Sequence, residues 1–431
     1  MVAPPSSAKG GSMEAVGERP ALSAVPSPLA MTSAHPGIAA LADHRQGSPV
    51  EAFDLPVEAL DRVWAAVDAS MSAATKSAYR SDWARFSAWA AAGGHAVLPA
   101  SPMVVAAYLT EAAEERKPDG RTRFGSASLT RWASSINQVH TAAGFPAPGR
   151  SEVVRRALSG VRRMRKSPPK RRSPLLLSDV RTLLEAIRPS MLVWPAAMAA
   201  HRDAALLLMG FAGAHRRSEL TALHISDVTV HPVDGLHVRV RSSKTDQEGA
   251  GTVRALPYGR DPQTCPPCAL IRWRCLLEAY DEGGRQAAIT PLHRRGLATE
   301  HCCRGVDDSN TPNAGNANGN ESVADGGGGE RERWLFPTVH KTGQPSAKAM
   351  TGDAVAMMIQ RRAAAAGFTP AQVDLLGGHS LRSGFVTEAF RAGADAHSIM
   401  RQTGHKDPKM LEVYAREFAP LVGNAVLKLD L

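Results

Sequence analysis

The sequence predicts a mainly α-helical chain of two domains, the second carrying a small antiparallel β-sheet. Three observations lead there. Apolar residues recur at helical spacing from about residue 53 onward. One later stretch, DVTVHPVDGLHVRVRSSKTDQEGAGTVRALP, alternates apolar and polar residues in places, broken by turn residues at Asp234-Gly235 and Gly249 to Gly251. Between them KSPPKRRSP, residues 166–174, joins paired prolines to four basic residues, a poor element and a good linker. At 431 residues each domain has enough chain for its own core.

Residues 1–52 are rich in Ala, Pro, Ser and Gly without a sustained period and read as a disordered tail. Residues 53–165 read as helices. SAATKSAYRSDWARFSAWAAAGG spaces Tyr79, Trp83, Phe86 and Trp89 along one helix face, stopped by Gly93 and Gly94. These aromatics read as core rather than as stacking platforms for bases. SPMVVAAYLTEAAEE starts a second helix with Ser101 as N-cap and Pro102 at the first position. SASLTRWASSINQVHTAAG and SEVVRRALSGVRRMRK are two more.

The second domain, 175–431, opens with LLLSDVRTLLEAI, where Ser178 reads as the N-cap. HRDAALLLMGFAGAHRRSELTAL is a helix pair; the sheet follows, and helical patterns return after Cys268. Residues 304–332 are dominated by Gly, Asn and Asp and read as a disordered insertion, with order returning at WLFP.

The formal charge is +10 and the pI about 9.6, a balance that attracts polyanions. No apolar run reaches the roughly 18 residues of a membrane span. The N-terminus shows no secretory pattern. All five cysteines fall between Cys265 and Cys303, which suggests reduced thiols in a cytoplasmic protein.

Three polar groups stand apart in the second domain: Arg216-Arg217-Ser218-Glu219, then Ser243-Lys244-Thr245, then His379-Ser380-Leu381-Arg382 followed by Gly404-His405 and Tyr414. Each has a plain reading alone. Arg216 with Glu219 is a local ion pair, and Lys244 is a solvated turn tip. His379 with Arg382 is a surface pair, and Tyr414 is a half-buried core aromatic.

Taken together, in this order, they resemble the tyrosine recombinase or phage integrase family. His405 lies 23 residues after Arg382, and Tyr414 nine after His405. GGHSLRSGFVTEAFRAGADAHSIMRQTGHKDPKMLEVYAR matches the family's C-terminal signature, and GAHRRSELTALHISDV its first box. The resemblance covers about residues 55–420. It implies an all-α SAM-like core-binding domain and an α+β catalytic domain, closing as a C-shaped clamp on DNA. It implies site-specific cutting and rejoining of double-stranded DNA through a 3′-phosphotyrosyl intermediate, without metal, ATP or other cofactor. Four protomers on paired sites would act together, monomeric or weakly associated off DNA, with accessory DNA-bending proteins possible partners. A role in a mobile genetic element fits.

Carried onto this sequence, the resemblance makes Arg216 and Arg382 the clamps on the non-bridging phosphate oxygens. His405 becomes a further donor and Tyr414 the nucleophile. His379 is its base, Lys244 the acid for the leaving 5′-oxygen, and Glu219 the residue orienting Arg216 or a histidine. Chemistry supports these types. A phosphodiester transition state gains negative charge, which forked guanidinium bonds stabilise. A phenol, with an ordinary pKa near 10, needs a base or a positive pocket to attack. The Arg-x-x-Glu spacing selects Arg216 over Arg217, since one residue turns a helix by about 100°.

The alternatives are a non-catalytic DNA-binding relative and a type IB topoisomerase. The complete residue set opposes the first; the short helical N-terminal domain and the His-x-x-Arg box oppose the second. The run holding Arg155, Arg156, Arg162, Arg163, Arg165, Lys166, Lys170, Arg171 and Arg172 reads as a phosphate-contacting stripe. Cys265-Pro-Pro-Cys268 has the spacing of half a zinc site, which Cys302-Cys303 with His293 or His301 could complete. Family members often carry one such cysteine before this helix, and the other candidates border the insertion. The sequence is therefore read as holding no metal.

Overall fold

The computed structural model describes residues 57–166, 172–241, 251–295, 300–303 and 332–424, with 426 and 429. The expected tail, Lys170, Arg171, Lys244 and residues 304–331 of the expected insertion lie outside the described residues. The chain is mostly helical with small antiparallel sheets, and divides into two compact units, Met1–Pro169 and Lys170–Leu431.

The first unit holds helices α1 (Val57–Ala69), α2 (Ala73–Ala92), α3 (Pro102–Glu114), α4 (Ser126–Ala142) and α5 (Glu152–Arg165). The Ser72 hydroxyl accepts the Thr75 amide to start α2, and Ser101 accepts the Val104 amide to start α3. Phe86 is fully buried, with Trp83 and Trp89 packed on the same core beside Tyr108 and Trp132. Asp82, buried on α2, takes two bonds from Arg131 of α4, at 2.7 and 2.9 Å, which fastens the two helices. Helix α5 buries Val154 and Val161 and exposes Arg155, Arg156, Arg162 and Arg163, seven residues apart in pairs on one face.

The second unit is built round α7 (Ala196–Ala212), buried along most of its length as its apolar composition requires. Preceding it is α6 (Leu177–Ile187). Ser178 does not cap α6: Leu176 occupies the cap, and Asp179 reaches back to its amide at 2.8 Å, so Ser178 lies inside the first turn. After α7 come the short α8 (Arg217–Thr221) and the strands β1 (Val228–His231), β2 (Gly235–Val240) and β3 (Thr252–Leu256), antiparallel in that order. Next is α9 (Pro266–Arg295), broken at Gly283-Gly284.

A second sheet, β4 (Pro337–Val339) with β5 (Pro345–Ala349), was not foreseen. Its strands are too short, and too interrupted by proline, to show alternation. Helices α10 (Gly352–Ala365), α11 (Pro370–Leu375), α12 (Ser380–Arg391), α13 (Ala396–Thr403) and α14 (Lys409–Phe418) complete the unit. Asp203 of α7, wholly buried, binds Arg202 beside it and Arg361 and Arg362 of α10, locking α7 to α10. No helix among the described residues is long and apolar enough to cross a membrane.

Candidate active site

The site begins at the turn after α7. Glu219, its side chain 1% exposed, reaches back to the Arg216 amide at 2.9 Å and takes Arg216 Nη1 at 2.6 Å. Arg217 turns away and pairs with Asp353 of α10 at 2.7 Å. The two adjacent arginines thus have different surroundings, and only Arg216 faces Glu219.

Two residues the sequence reading passed over sit beneath. Arg254 is buried on β3, opposite Val238 and on the same face as Leu256. Its Nη1 donates to Glu219 Oε2 at 3.0 Å, to the Gly213 carbonyl at 3.1 Å and toward His215 Nδ1 at 3.0 Å. His215 is also fully buried. The signal available was an arginine at an inward position of an alternating strand, where a charge has to find a partner. Burial pushes the Glu219 carboxyl up, but Arg254 and Arg216 outweigh it and hold its pKa below the ordinary value.

Arg382 lies on α12, one turn in from His379, with 1% of its surface exposed. Gly384 lets α12 approach the incoming chain: a Cβ there would stand 1.8 Å from the Leu175 carbonyl oxygen. Arg382 Nη1 donates to the Ala214 carbonyl at 2.7 Å, and Nη2 to His405 Nε2 at 2.9 Å. Gly404 ends α13 at φ +67°, a left-handed cap that turns the chain into His405. The other His405 nitrogen, Nδ1, meets Thr403 Oγ1 at 2.8 Å, and that hydroxyl donates to the Ile399 carbonyl. Nε2 therefore accepts and Nδ1 carries the proton.

Burial, with Arg382, Arg216, His379 and Arg254 around it, brings the His405 pKa down to about 3. Burial also lowers Arg382, to about 10, with Arg216 adding to it.

His379 caps α12 at the exposed mouth, and its Nε2 lies 2.6 Å from Tyr414 Oη. Loss of solvent on its inner edge, then Arg382 and Arg216, holds the imidazole below its ordinary pKa. It is neutral near pH 7 and can accept from a phenol. Tyr414 sits on α14, its ring centroid 6.1 Å from that of His379 and 6.4 Å from that of His405. The helix docks on the same chain: Leu411 is fully buried against Val386, Phe390 and Ile399, and Tyr414 packs beside them. Met410, next to Leu411, is 54% exposed, because it points from the opposite face.

The structure thus gathers Arg216, Glu219, His379, Arg382, His405 and Tyr414. Of the basic stripe, Arg162, Arg163 and Lys166 are exposed, whereas Arg155 and Arg156 bind Glu152. Arg165 is spent on the carbonyls of Phe124 and Ala113, and Arg172 on those of Asp374 and Leu376. Two groups have the arrangement of metal ligands: Cys265, Cys268, His301 and Cys303, and the more exposed His231, Asp234 and His237.

The arrangement sets a phenol against a neutral imidazole beside two guanidiniums, groups suited to phosphoryl transfer. A model of the phage integrase family matches residues 320–419. An integrase/recombinase XerD homolog of Selenomonas ruminantium is 28% identical over 346 residues, 80% of this chain and 81% of the relative. Among solved structures, the XerA recombinase is 16% identical, covering 82% of this chain and 90% of that one, at a TM-score of 0.32. A lambda integrase dimer bound to a COC′ core site is 15% identical, covering 82% and 75%, at 0.43. Residues 320–419, which hold His379, Arg382, His405 and Tyr414, thus match the phage integrase family, the tyrosine recombinases.

Proposed function

We propose that this chain is a site-specific recombinase that cuts double-stranded DNA with Tyr414 and rejoins it through a 3′-phosphotyrosyl link. The observation that carries the reading is the 2.6 Å approach of His379 Nε2 to Tyr414 Oη, beside the buried Arg382. In the step proposed, Tyr414 Oη bonds to phosphorus and passes its proton to His379. Arg216 and Arg382 hold the non-bridging oxygens, and the 5′-oxygen leaves with a proton from Lys244. The phosphotyrosine keeps the energy of the broken bond, so the 5′-hydroxyl can reverse the step without ATP.

His405 Nε2 accepts from Arg382 in the resting site. A phosphate that captures this guanidinium would free Nε2 and, by its charge, favour a protonated His405 that donates to it.

Both units would contact the same duplex, with residues 53–165 as the core-binding domain, 166–174 as the linker and 175–431 as the catalytic domain. Exposed Arg162, Arg163 and Lys166 suit backbone phosphates, as Lys170 and Arg171 would by charge. Exchange between paired sites would need four protomers and a Holliday junction.

The test is trapping on DNA that carries the cognate site with a bridging phosphorothiolate. Wild type is expected to form a covalent adduct in a denaturing gel, and Tyr414→Phe none. An adduct in the Phe variant would refute the nucleophile. Trapping without exchange of paired sites would favour a topoisomerase-like reaction, and DNA binding without any adduct a non-catalytic relative.

A further inference from the structure

We propose that Cys265, Cys268, His301 and Cys303 form a closed tetrahedral zinc site that ties residues 300–303 to the start of α9. The four donor atoms lie within 4.8 Å of one another. Zinc bonds sulfur at about 2.3 Å and imidazole nitrogen at about 2.0–2.1 Å, so a tetrahedron has edges of about 3.8 Å between sulfurs and about 3.6 Å between sulfur and nitrogen. Cys265 and Cys303 are 3.8 Å apart at sulfur. His301 Nδ1 is 3.4 Å from the sulfur of Cys268 and 3.7 Å from that of Cys303. Cys268 to Cys303 is shorter, at 3.3 Å. None of these is a disulfide, whose sulfurs stand about 2.05 Å apart.

The surroundings fit ligands better than packing. Cys265 and Cys268 are wholly buried and Cys303 is 4% exposed. Buried cysteines serving as small apolar residues have no reason to turn three sulfurs toward one imidazole nitrogen. His301 Nε2 lies 3.2 Å from the Arg260 carbonyl, which fixes its proton there and leaves the Nδ1 lone pair facing the sulfurs. The Gly259 amide donates to Cys265 Sγ at 3.3 Å, as a thiolate would favour. The Cys302 thiol lies 3.6 Å from the Cys268 carbonyl and also neighbours the Cys268 thiol, but it falls outside the set of four mutually close donors.

Three thiolates and one imidazole leave no open position, so the role is structural. The segment it holds needs a clasp: residues 300–303 form neither helix nor strand and immediately precede residue 304. The sequence offered these ligands among others, but a second half of His-Cys-Cys, rather than a repeat of Cys-x-x-Cys, did not single them out.

Metal content of the full chain, purified with reductant and no chelator from zinc-supplemented cells, tests the proposal. About one zinc per chain is expected, replaceable by cobalt to give a thiolate charge-transfer band and tetrahedral d–d bands. Cys268→Ser and Cys303→Ser should lose the zinc and the bands, while Cys302→Ser and Cys275→Ser keep both. Wild type needs no variant to fold, and these results would overturn the site: no zinc with every thiol reduced, a Cys268–Cys303 disulfide with no zinc, iron in place of zinc, or zinc retained equally by all four variants.

Discussion

Glu219→Gln removes one charge and almost no volume. In the wild type, Glu219 faces two guanidiniums, Arg216 at 2.6 Å and Arg254 at 3.0 Å, with its own side chain 1% exposed. Taking the carboxylate from a buried pair costs about 3–5 kcal/mol, since the partner stays buried without compensation. The amide oxygen can still accept one bond, and Arg216 is 19% exposed, so about 3 kcal/mol is expected. Arg254→Met is different: it leaves Arg216 and Glu219 balanced and forfeits the bonds to Gly213, His215 and Glu219, about 1–3 kcal/mol. In the double variant no carboxylate is lost opposite Arg254, so its cost should fall short of the sum by at least about 1 kcal/mol.

Hydrogen exchange of peptides from Ala196–Ala212 is the assay, because the helix ends at the turn Arg254 holds. A whole-chain melt would mix the unfolding of two units. At about 1.4 kcal/mol per factor of ten, Glu219→Gln should speed sub-global exchange by roughly 10²-fold. Exchange within about twofold of wild type, or a double variant as costly as the two singles added, would refute the reasoning.

Three further outcomes are expected. His379→Gln, lacking the proton acceptor beside Tyr414, should slow single-turnover adduct formation by about 10²-fold or more while DNA binding by filter retention is kept. Asp203→Asn should destabilise the second unit by about 3–5 kcal/mol, read from hydrogen exchange of peptides from Gly352–Ala365, because the buried Arg202 and the largely covered Arg362 lose their counter-charge. Acid should weaken the second unit through His215, held by burial and then by Arg254 at a pKa of about 3 against 6.5. The folded form binds fewer protons there, so stability present above pH 6.5 falls by about 1.4 kcal/mol per unit as the pH drops toward 3, and His215→Gln should flatten the profile.

What the sequence displays and what it conceals follow from the range of the interactions. The helices of residues 73–165 were readable because their signals are local: Ser72 and Ser101 cap within three residues, and Phe86 recurs on one face. Arg216 and Glu219 are three apart, and their bond is equally local. Arg254 showed only its inward position on an alternating strand and not its partners, which lie 35 to 41 residues away across a strand pairing. The start of α6 was misplaced by one local competition, in which Asp179 reaches back and Ser178 does not. The convergence of His301 and Cys303 on Cys268 spans at least 33 residues, which no spacing rule covers.

The charges of the pocket themselves bear on the proposed reaction. Arg216, Arg254 and Arg382 bring three positive charges against one carboxylate, Glu219, while His379 and His405 are held neutral. The excess is two. A phosphodiester carries one negative charge, and the pentavalent transition state gains about one more, so the pocket matches the transition state better than the ground state. That excess is costly in the free protein: burial first, and then Arg216, lowers the pKa of Arg382. Arg382 meanwhile leans on His405 Nε2, a neutral acceptor and a weak substitute for a phosphate oxygen. The neutrality of His379 then has a second use beyond accepting the phenol proton: a charged imidazole at the mouth would add a repulsion that the site, before DNA arrives, has nothing to offset.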